Sequence, residues 1–295
     1  MTRPVIYGKN GLMDKEELVL LKLGGSLITD KTIAYSPRFE KLAQLSAQIS
    51  AARRANPGLR LVLGHGSGSF GHTAAKKHHT RDGLSSPHFA RTSAQNRGTE
   101  GGSEYWEGFA EVWYQASQLN RFVMDSLHDE QIPALTLGPV SAVTASDGKL
   151  SGWDLTSLKA ALAAGLVPVV HGDVIFDSVR GGTIFSTEDL FEHIARQLRP
   201  QRILLAGLEG AVWADYPERT QRVETITPAN FDAVKPNLGA SNGADVTGGM
   251  ESKVRQMLAL AQEIPGLTAQ IFSGEQPGNL QKTLAGEMIG TLITS

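Results

Sequence analysis

The chain has 295 residues, of which 41% are hydrophobic and 20% are charged, as in an ordinary globular protein. Its formal net charge of −2 provides no overall positive field, which disfavours long nucleic acids and acidic membrane surfaces as partners. The sequence contains no cysteine, and this excludes disulfide bonds, thiolate zinc sites and cysteine nucleophiles.

The chain begins with a polar leader without an apolar core of signal-peptide length, and no later run reaches about 18 apolar residues. We therefore expect a cytoplasmic protein without a membrane partner. The first apolar run, ELVLLKLGG, ends in glycine and is typical of a buried parallel strand. A segment with helical spacing that starts at Ser-Pro follows it, and then a second strand, LRLVLGHG. This order predicts a βαβ unit with a right-handed crossover.

The same alternation continues to the carboxyl terminus. The spacing of apolar residues predicts helices near residues 104–127, 154–164, 188–198 and 249–264, with the strands PALTLG, LVPVVHGD, RILLAGL, AQIFSG and GTLIT between and after them. This pattern predicts an α/β fold, a three-layer αβα sandwich around a mostly parallel open sheet. Two polar segments, residues 72–103 and 215–246, interrupt the alternation and are expected to be functional lids or mobile connections. No linker-like change in composition divides the chain, so we predict a single domain over residues 1–295.

The first strand ends in KLGGS, which contains Lys22, Gly24, Gly25 and Ser26. Open α/β sheets bind ligands at the carboxyl ends of their strands. Glycines allow the backbone to approach an anion, exposed amides donate to it, and a lysine adds a compact positive charge. A second lysine, Lys31, follows nine residues after the first.

The second strand ends in GHGSGSFGH, residues 64–72, where a helix is expected to begin and to attract phosphate by its amides and dipole. Gly66, Gly68 and Gly71 also match the dinucleotide pattern G-x-G-x-x-G. A nicotinamide site would need a further strand that ends in Asp or Glu about twenty residues later. The polar residues 81–97 occupy that region, which disfavours this alternative.

A third glycine-rich segment, DVTGGMESKV, covers residues 245–254 and precedes a predicted helix. Gly248 and Gly249 lie at its start, and Lys253 is expected to contact a polyphosphate. A capped helix with a solvated lysine is the structural alternative. The sequence lacks the G-x-x-x-x-G-K-[ST] element of P-loop ATPases and the H-R-D and D-F-G motifs of protein kinases.

With KLGGSLITDK, HGSGSFGH, HGDV and TGGMESK in this order, the chain resembles the amino acid kinase superfamily and, within it, the isopentenyl phosphate kinases. The resemblance extends over residues 17–294. It implies transfer of the γ-phosphate of ATP, with Mg²⁺, to isopentenyl phosphate. It also implies an approximate acceptor-binding lobe over residues 17–185 and a nucleotide-binding lobe over residues 186–295. A homodimer is common in that family.

The resemblance assigns roles residue by residue. Lys31 would stabilise the transferring group, and His72 would bind the acceptor phosphate through its imidazole. The residues implied in catalysis are Lys22, Lys31, His72, Glu188 and Lys253. Those implied in nucleotide binding are Lys22, Gly24, Gly25, Ser26, Gly68, Gly207, Gly248, Gly249 and Lys253. Those implied in acceptor binding are Gly66, Ser67, Gly71, His72, Gly172 and Asp173, the last of which could instead cap a turn.

Two segments depart from the family pattern. Relatives usually have an acid within the segment SGD, whereas this chain has FSTEDL there. Glu188 aligns with that acid, and the adjacent Asp189 is a second candidate to orient the lysines. The adenine-side pattern TDVDGVY becomes AGLEGAVW, with Gly207 and Glu209 in place of aspartates. This change leaves the choice between ATP and GTP open. A threonine-arginine pair often present on the substrate helix is also absent.

Several aromatic and histidine side chains have both structural and functional interpretations. Trp106, Phe109 and Trp113 form a helical stripe that could belong to the core, to a subunit contact or to the wall of an apolar tail pocket. The remaining candidates are histidines. A zinc site is disfavoured for His78, His79 and His88. For His65 and His171, buried structural roles are as reasonable as ligand contacts.

Three functions are compatible with these patterns. An ATP-dependent isopentenyl phosphate kinase is the leading hypothesis. A kinase for a phosphonate such as fosfomycin is the second, because a similar glycine-histidine loop would serve it. A non-catalytic nucleotide-binding sensor is the third, because the AGLEG and STED segments are altered.

Overall fold

The computed structural model describes residues 17–84, 100–238 and 249–295. The strands are β1 Glu17–Leu23, β2 Leu59–His65, β3 Ala134–Thr136, β4 Val143–Ser146, β5 Lys149–Trp153, β6 Val167–His171, β7 Asp173–Asp177, β8 Gly181–Phe185, β9 Arg202–Gly207, β10 Thr225–Ile226, β11 Thr268–Ser273 and β12 Thr291–Ile293. The α-helices are α1 Gly25–Ile28, α2 Phe39–Ala55, α3 Gly68–His78, α4 Glu100–Asp129, α5 Thr156–Ala163, α6 Thr187–Leu198, α7 Phe231–Val234, α8 Gly249–Glu263 and α9 Asn279–Leu284.

Within the described ranges, eight strands form one sheet in the order β10-β12-β11-β9-β1-β2-β6-β3. The strand pairs of this sheet are parallel, apart from the antiparallel pair of β11 and β12. The predicted α/β class with a mostly parallel sheet is therefore confirmed. The connections between neighbouring parallel strands contain helices, as the βαβ pattern requires.

Alternate residues of β1 contact the two helical layers. Leu18 and Leu20 belong to one apolar cluster, whereas Val19, Leu21 and Leu23 belong to another on the opposite face. The first cluster contains side chains of α5, α6 and α8, and the second contains side chains of α2, α4 and α9. Because both faces of the sheet are covered, its central strands are apolar on both sides, and this explains why they appear in the sequence as continuous hydrophobic runs.

A second sheet was not predicted. Four strands of the described chain form it in the order β5-β4-β7-β8. Short turns, instead of helices, connect β4 to β5 and β7 to β8, so the helix-strand alternation gave no signal for these hairpins. The buried Asp177 carboxylate accepts hydrogen bonds from the amides of Asp147, Gly148, Val179 and Arg180 at 2.7 to 3.0 Å. This carboxylate therefore holds two turns of the second sheet together.

The polar segment predicted to be irregular begins later than expected. Residues 72–78 continue α3, and a short 3-10 helix, Thr80–Asp82, follows. The helix forms because Gly71, Ala74 and Ala75 bury its inner face while Lys76 and Lys77 remain exposed. His88, in the remainder of that segment, lies outside the described residues.

The predicted boundary between two lobes falls between β8 and α6. The large sheet crosses this boundary, because β1 pairs with β9 from Val19 to Leu23. The single domain and the assignment of each lobe to one substrate stay predictions. None of the helices in the described ranges combines the length and apolar character needed to cross a bilayer.

Candidate active site

The glycine turns predicted to bind phosphate meet at one edge of the large sheet. Leu23, His65, His171 and Ala206 lie side by side in the strand register, so β1, β2, β6 and β9 end together. Hydrogen bonds join the turns that follow: the Gly24 amide donates to the carbonyl of Ala206 at 2.8 Å. In the next two turns, the Gly66 amide donates to the Leu23 carbonyl at 3.0 Å and the Gly172 amide to the His65 carbonyl at 3.3 Å.

The first two turns pack backbone against backbone. A Cβ atom on Gly25 would lie 2.4 Å from the Gly68 nitrogen, and one on Gly66 would lie 2.8 Å from the Gly25 nitrogen. Gly68 has a φ of +51°, and a Cβ there would lie 2.2 Å from Thr29 Oγ1. Since any side chain would separate the turns, glycine is needed at these three positions. The resulting surface of close backbone is what a polyphosphate requires.

A cavity of about 370 Å³ opens over this edge. Nearly all the residues predicted for the site line it, from both halves of the chain: Lys22, Gly24, Gly25, Ser26, Lys31, Gly66, Ser67, Gly68, Gly71, His72, Gly172, Asp173, Gly207, Glu188 and Lys253. Gly249 is buried at the start of α8 with a φ of 70° and does not line the cavity. Gly248 lies outside the described residues. The individual roles of these residues stay predictions.

Lys22 and Glu188 form a buried ion pair at the cavity floor. Burial lowers the pKa of Lys22. The charge of Glu188 opposes this decrease, and the charge of Lys253 adds to it. Burial would raise the pKa of Glu188, but Lys22 and Lys253 outweigh it and hold this pKa below its ordinary value. The carboxylate is therefore ionised and places its charge between two lysines, which keeps them close despite their mutual repulsion.

Asp189, the other candidate acid, has a different task. Its side chain accepts hydrogen bonds from the Ser186 amide and hydroxyl, both at 2.7 Å, and the Ser186 hydroxyl accepts one from the Asp189 amide at 3.2 Å. This capping box begins α6 and turns Glu188 toward the lysines.

Both polar and apolar side chains line the cavity beyond the glycine turns. Lys31 is exposed and His72 is half-buried, and both line the cavity. Ala75, Val112 and Ile184 form an apolar part of the cavity wall. Val112 belongs to α4, so this helix contributes to the cavity, and a pocket for an apolar tail stays a prediction.

The aromatic stripe of α4 lies elsewhere. Phe109 is buried in a cluster with Tyr105 and Val174, and Trp106 and Trp113 are 37% and 44% exposed. None of the three stripe residues lines the cavity. A contact with another subunit stays a prediction for the exposed members.

His65 and His171 are buried below the cavity and do not line it. Their rings stack with centroids 5.2 Å apart, and His65 Nε2 lies 3.1 Å from Asn120 Oδ1. His171 Nε2 lies 3.8 Å from Asp173 Oδ2, too far for a hydrogen bond. Neither nitrogen of His171, nor this oxygen of Asp173, has a hydrogen-bond partner among the described residues. Burial lowers the pKa of His171 to about 3, with His65 adding to the effect, and raises the pKa of Asp173 to about 7.

Within the described ranges, no group of three or more His, Cys, Asp or Glu side chains is placed so that it could hold a metal ion.

Comparison with known proteins establishes the family. The model of the amino acid kinase family matches residues 17–273. The chain belongs to the amino acid kinase family. Isopentenyl phosphate kinase of Haloferax volcanii is 36% identical, and that of Methanocaldococcus jannaschii 30% identical; each alignment covers 94% of this chain and 98% of the relative. A solved structure described as isopentenyl phosphate kinase superposes with a TM-score of 0.75 at 28% identity, covering 94% of this chain and 100% of that one. The resemblance inferred from the four motifs is thus confirmed.

In this member of the amino acid kinase family, the cavity also contains aromatic and charged residues that were not predicted from the sequence. Trp213, Tyr216 and Arg219 line the cavity beside Glu209. Arg219 Nη2 lies 2.8 Å from Glu209 Oε1, the Trp213 indole donates to Glu209 at 3.1 Å, and the guanidinium lies 4.8 Å from the centre of the Tyr216 ring. The Arg219 side chain holds the pKa of Glu209 below its ordinary value. The only sequence signal was a cluster of aromatic and charged letters, VWADYPER, inside a segment predicted to be irregular.

Another cavity residue that sequence reasoning missed is Arg81, in the 3-10 helix after α3. It lies within the other polar segment, so no periodicity or motif distinguished it from the neighbouring solvated cations. Only the tertiary structure brings its position to the cavity wall.

Proposed function

We propose that this protein transfers the γ-phosphate of ATP to isopentenyl phosphate and produces isopentenyl diphosphate. The observation that supports this most directly is the cavity over the paired glycine turns, which brings Lys22, Lys31, His72 and Lys253 to a single space. The family assignment supports a phosphotransferase with a phosphate group as acceptor, and dimethylallyl phosphate is expected to serve as a second acceptor.

The chemistry of the proposed reaction requires charge compensation more than proton removal. A phosphate monoester is already largely ionised near pH 7, so its oxygen can attack without a general base. The obstacle is the repulsion between two polyanions. Preorganised cations and amides offset this repulsion and stabilise the charge on the transferring group.

The residues divide this task in the proposed mechanism. Lys22 and Lys253, held together by Glu188, bind the nucleotide phosphates, and Lys31 stabilises the group in transfer. His72 binds the acceptor phosphate, and the amides of the Gly66 to Gly68 turn contribute hydrogen bonds. The apolar wall of Ala75, Val112 and Ile184 would receive a short hydrocarbon tail. The close approach of the glycine backbones, where any Cβ would fill the gap, fits a polyphosphate such as that of ATP.

Mg²⁺ is proposed to accompany the nucleotide, because this ion typically binds substrate phosphates and keeps several of its waters. It would supply additional positive charge at the phosphates. The predicted homodimer and cytoplasmic location stay predictions.

A single panel of reactions tests the function. ADP release from MgATP is measured with isopentenyl phosphate, dimethylallyl phosphate, fosfomycin or no acceptor, and the products are identified by phosphorus NMR. We expect diphosphates with the two prenyl phosphates and no product with fosfomycin. A product from fosfomycin alone would instead identify a phosphonate kinase. ATP binding without ADP release in any reaction would favour the sensor.

A further inference from the structure

The cations of the cavity are not equally available to a ligand. Glu188 pairs with Lys22 and also acts electrostatically on Lys253, whereas Arg219 pairs with Glu209. Lys31 and Arg81 remain, and neither forms an ion pair with a carboxylate in residues 17–84, 100–238 or 249–295. A cation in a cavity wall that no carboxylate neutralises is an attractive site for an anion.

Arg81 lines the cavity and lies on a well-anchored segment that contacts α3, the helix that carries His72. The 3-10 helix Thr80–Asp82 that carries it receives a hydrogen bond from the buried Tyr105 hydroxyl to the Thr80 carbonyl at 3.3 Å. Just beyond, the Leu84 amide donates to the carbonyl of Arg180 at 2.8 Å. These contacts attach the segment to α4 and to the turn before β8. The backbone of Arg81 is therefore positioned before any ligand arrives, which lowers the entropic cost of binding.

Asp189, an acid whose charge acts on Arg81, is already engaged by other groups. Arg81 is the smallest of the influences on the pKa of Asp189. The Asp189 carboxylate instead accepts the two hydrogen bonds from Ser186 that cap α6. Among the residues that the structure describes, no carboxylate pairs with the Arg81 guanidinium, whose planar donor fork fits two phosphate oxygens at once.

We propose that Arg81 binds the phosphate of the acceptor, a doubly ionised phosphate monoester, together with His72. This inference rests on the proposed function and adds a substrate-binding residue to it. The guanidinium would contact the acceptor phosphate before and during transfer. Loss of its charge should therefore weaken acceptor binding more than it slows the bound complex.

The test uses the full-length protein and three variants. Arg81→Met removes the charge and keeps much of the apolar stem, and Arg81→Lys keeps a point charge but loses the planar fork. The matched control is Lys76→Met, because Lys76 is an exposed cation of neighbouring α3 that does not line the cavity. For each variant, KM and kcat are measured with isopentenyl phosphate and with MgATP. Binding of isopentenyl phosphate alone is measured by calorimetry at two ionic strengths.

We expect Arg81→Met to raise the KM and the dissociation constant for isopentenyl phosphate by about 10- to 100-fold, since a charge-assisted contact is lost. The KM for MgATP should stay within about twofold. Arg81→Lys should show a smaller increase, and Lys76→Met none. Acceptor binding by Arg81→Met should also depend less on ionic strength than wild-type binding, which a purely structural role would not produce.

Two results would contradict the inference in distinguishable ways. Wild-type turnover of isopentenyl phosphate, with unchanged acceptor KM in both Arg81 variants, would overturn the role of Arg81 and leave the proposed function intact. Absence of both binding and turnover in the wild type would overturn the two together. If Arg81→Met does not fold, the acceptor KM of Arg81→Lys decides: an increase supports the role, and a wild-type value overturns it.

Discussion

At the scale of single residues, the buried neighbours Asp173 and His171 have shifted pKa values that change stability in opposite directions. The folded-state pKa of Asp173, about 7, lies above its ordinary 3.8. Its contribution to stability is therefore complete below about pH 4 and is lost as the pH rises through 7. The folded-state pKa of His171, about 3, lies below its ordinary 6.5. Its contribution is complete above about pH 6.5 and is lost as the pH falls toward 3.

The variant Asp173→Asn isolates the first of these effects. From pH 5 to pH 8, the free energy of unfolding of the wild type should fall relative to that of the variant by roughly 2 to 3 kcal/mol. Urea unfolding at a series of pH values measures this difference. Asp147→Asn serves as the control, because Asp147 is an exposed carboxylate on the neighbouring hairpin. A difference that stays constant over this pH range would show that Asp173 is ionised in the folded protein.

Lys31 is the residue whose charge should matter most during transfer. It is exposed, lines the cavity and forms no ion pair within the described parts of the chain. We expect Lys31→Ala to lower kcat by about 100-fold or more, with the KM for MgATP within about twofold, because the lost charge acts mainly on the transition state. Steady-state kinetics measures both, with the exposed Lys77→Ala as the control. An unchanged kcat would remove Lys31 from the mechanism.

At the scale of elements, the proposed phosphate-binding surface depends on the contact between the turns after β1 and β2. The contact requires a left-handed backbone at Gly68 and leaves no space for a Cβ there, whereas a Cβ on Gly207 would have no heavy atom within 4 Å. Gly68→Ala should therefore lower the free energy of unfolding by about 2 kcal/mol or more. Gly207→Ala should change it by no more than about 0.5 kcal/mol. Urea unfolding compares the two variants. A loss of unfolding free energy in Gly68→Ala as small as that in Gly207→Ala would mean that the turns can separate without cost.

At the scale of the whole molecule, the cavity is built from both predicted lobes, and the pairing of β1 with β9 joins them through one sheet. We expect the protein to unfold in one cooperative transition, and bound nucleotide should stabilise the whole protein against it. MgATP at about 100 times its dissociation constant should raise the free energy of unfolding by about 2.7 kcal/mol. Variants with a single tryptophan, Trp113 in α4 or Trp213 in the cavity wall, should report the same shift.

The control for this linkage is Lys253→Met, which should reduce the shift caused by MgATP while retaining a cooperative transition. If the nucleotide shifts only the transition seen by Trp213, the two lobes unfold independently and the continuous sheet does not couple them.

Much of the fold could be predicted because it depends on neighbours in the chain. Continuous apolar runs marked the strands of the large sheet except β10, which lies in a segment predicted to be irregular. Helical spacing located α2, α4, α5, α6 and α8 to within a few residues, and glycines marked the strand ends. The hairpins of the second sheet could not be predicted in this way. Their strands are short and pair across tight turns, and the pairing of β4 with β7 joins segments about thirty residues apart.

The sequence by itself determined the family and pointed to the glycines, lysines and histidine that are predicted to bind phosphate, because these residue types carry their chemistry wherever they are placed. Only the tertiary structure decided how the charges are shared. It paired Glu188 with Lys22 and used the adjacent Asp189 as a helix cap, and it neutralised Glu209 with Arg219 while leaving Arg81 in the cavity wall. The physical reason is that a charge becomes available or neutralised through partners that are distant in the chain, and packing alone brings these together.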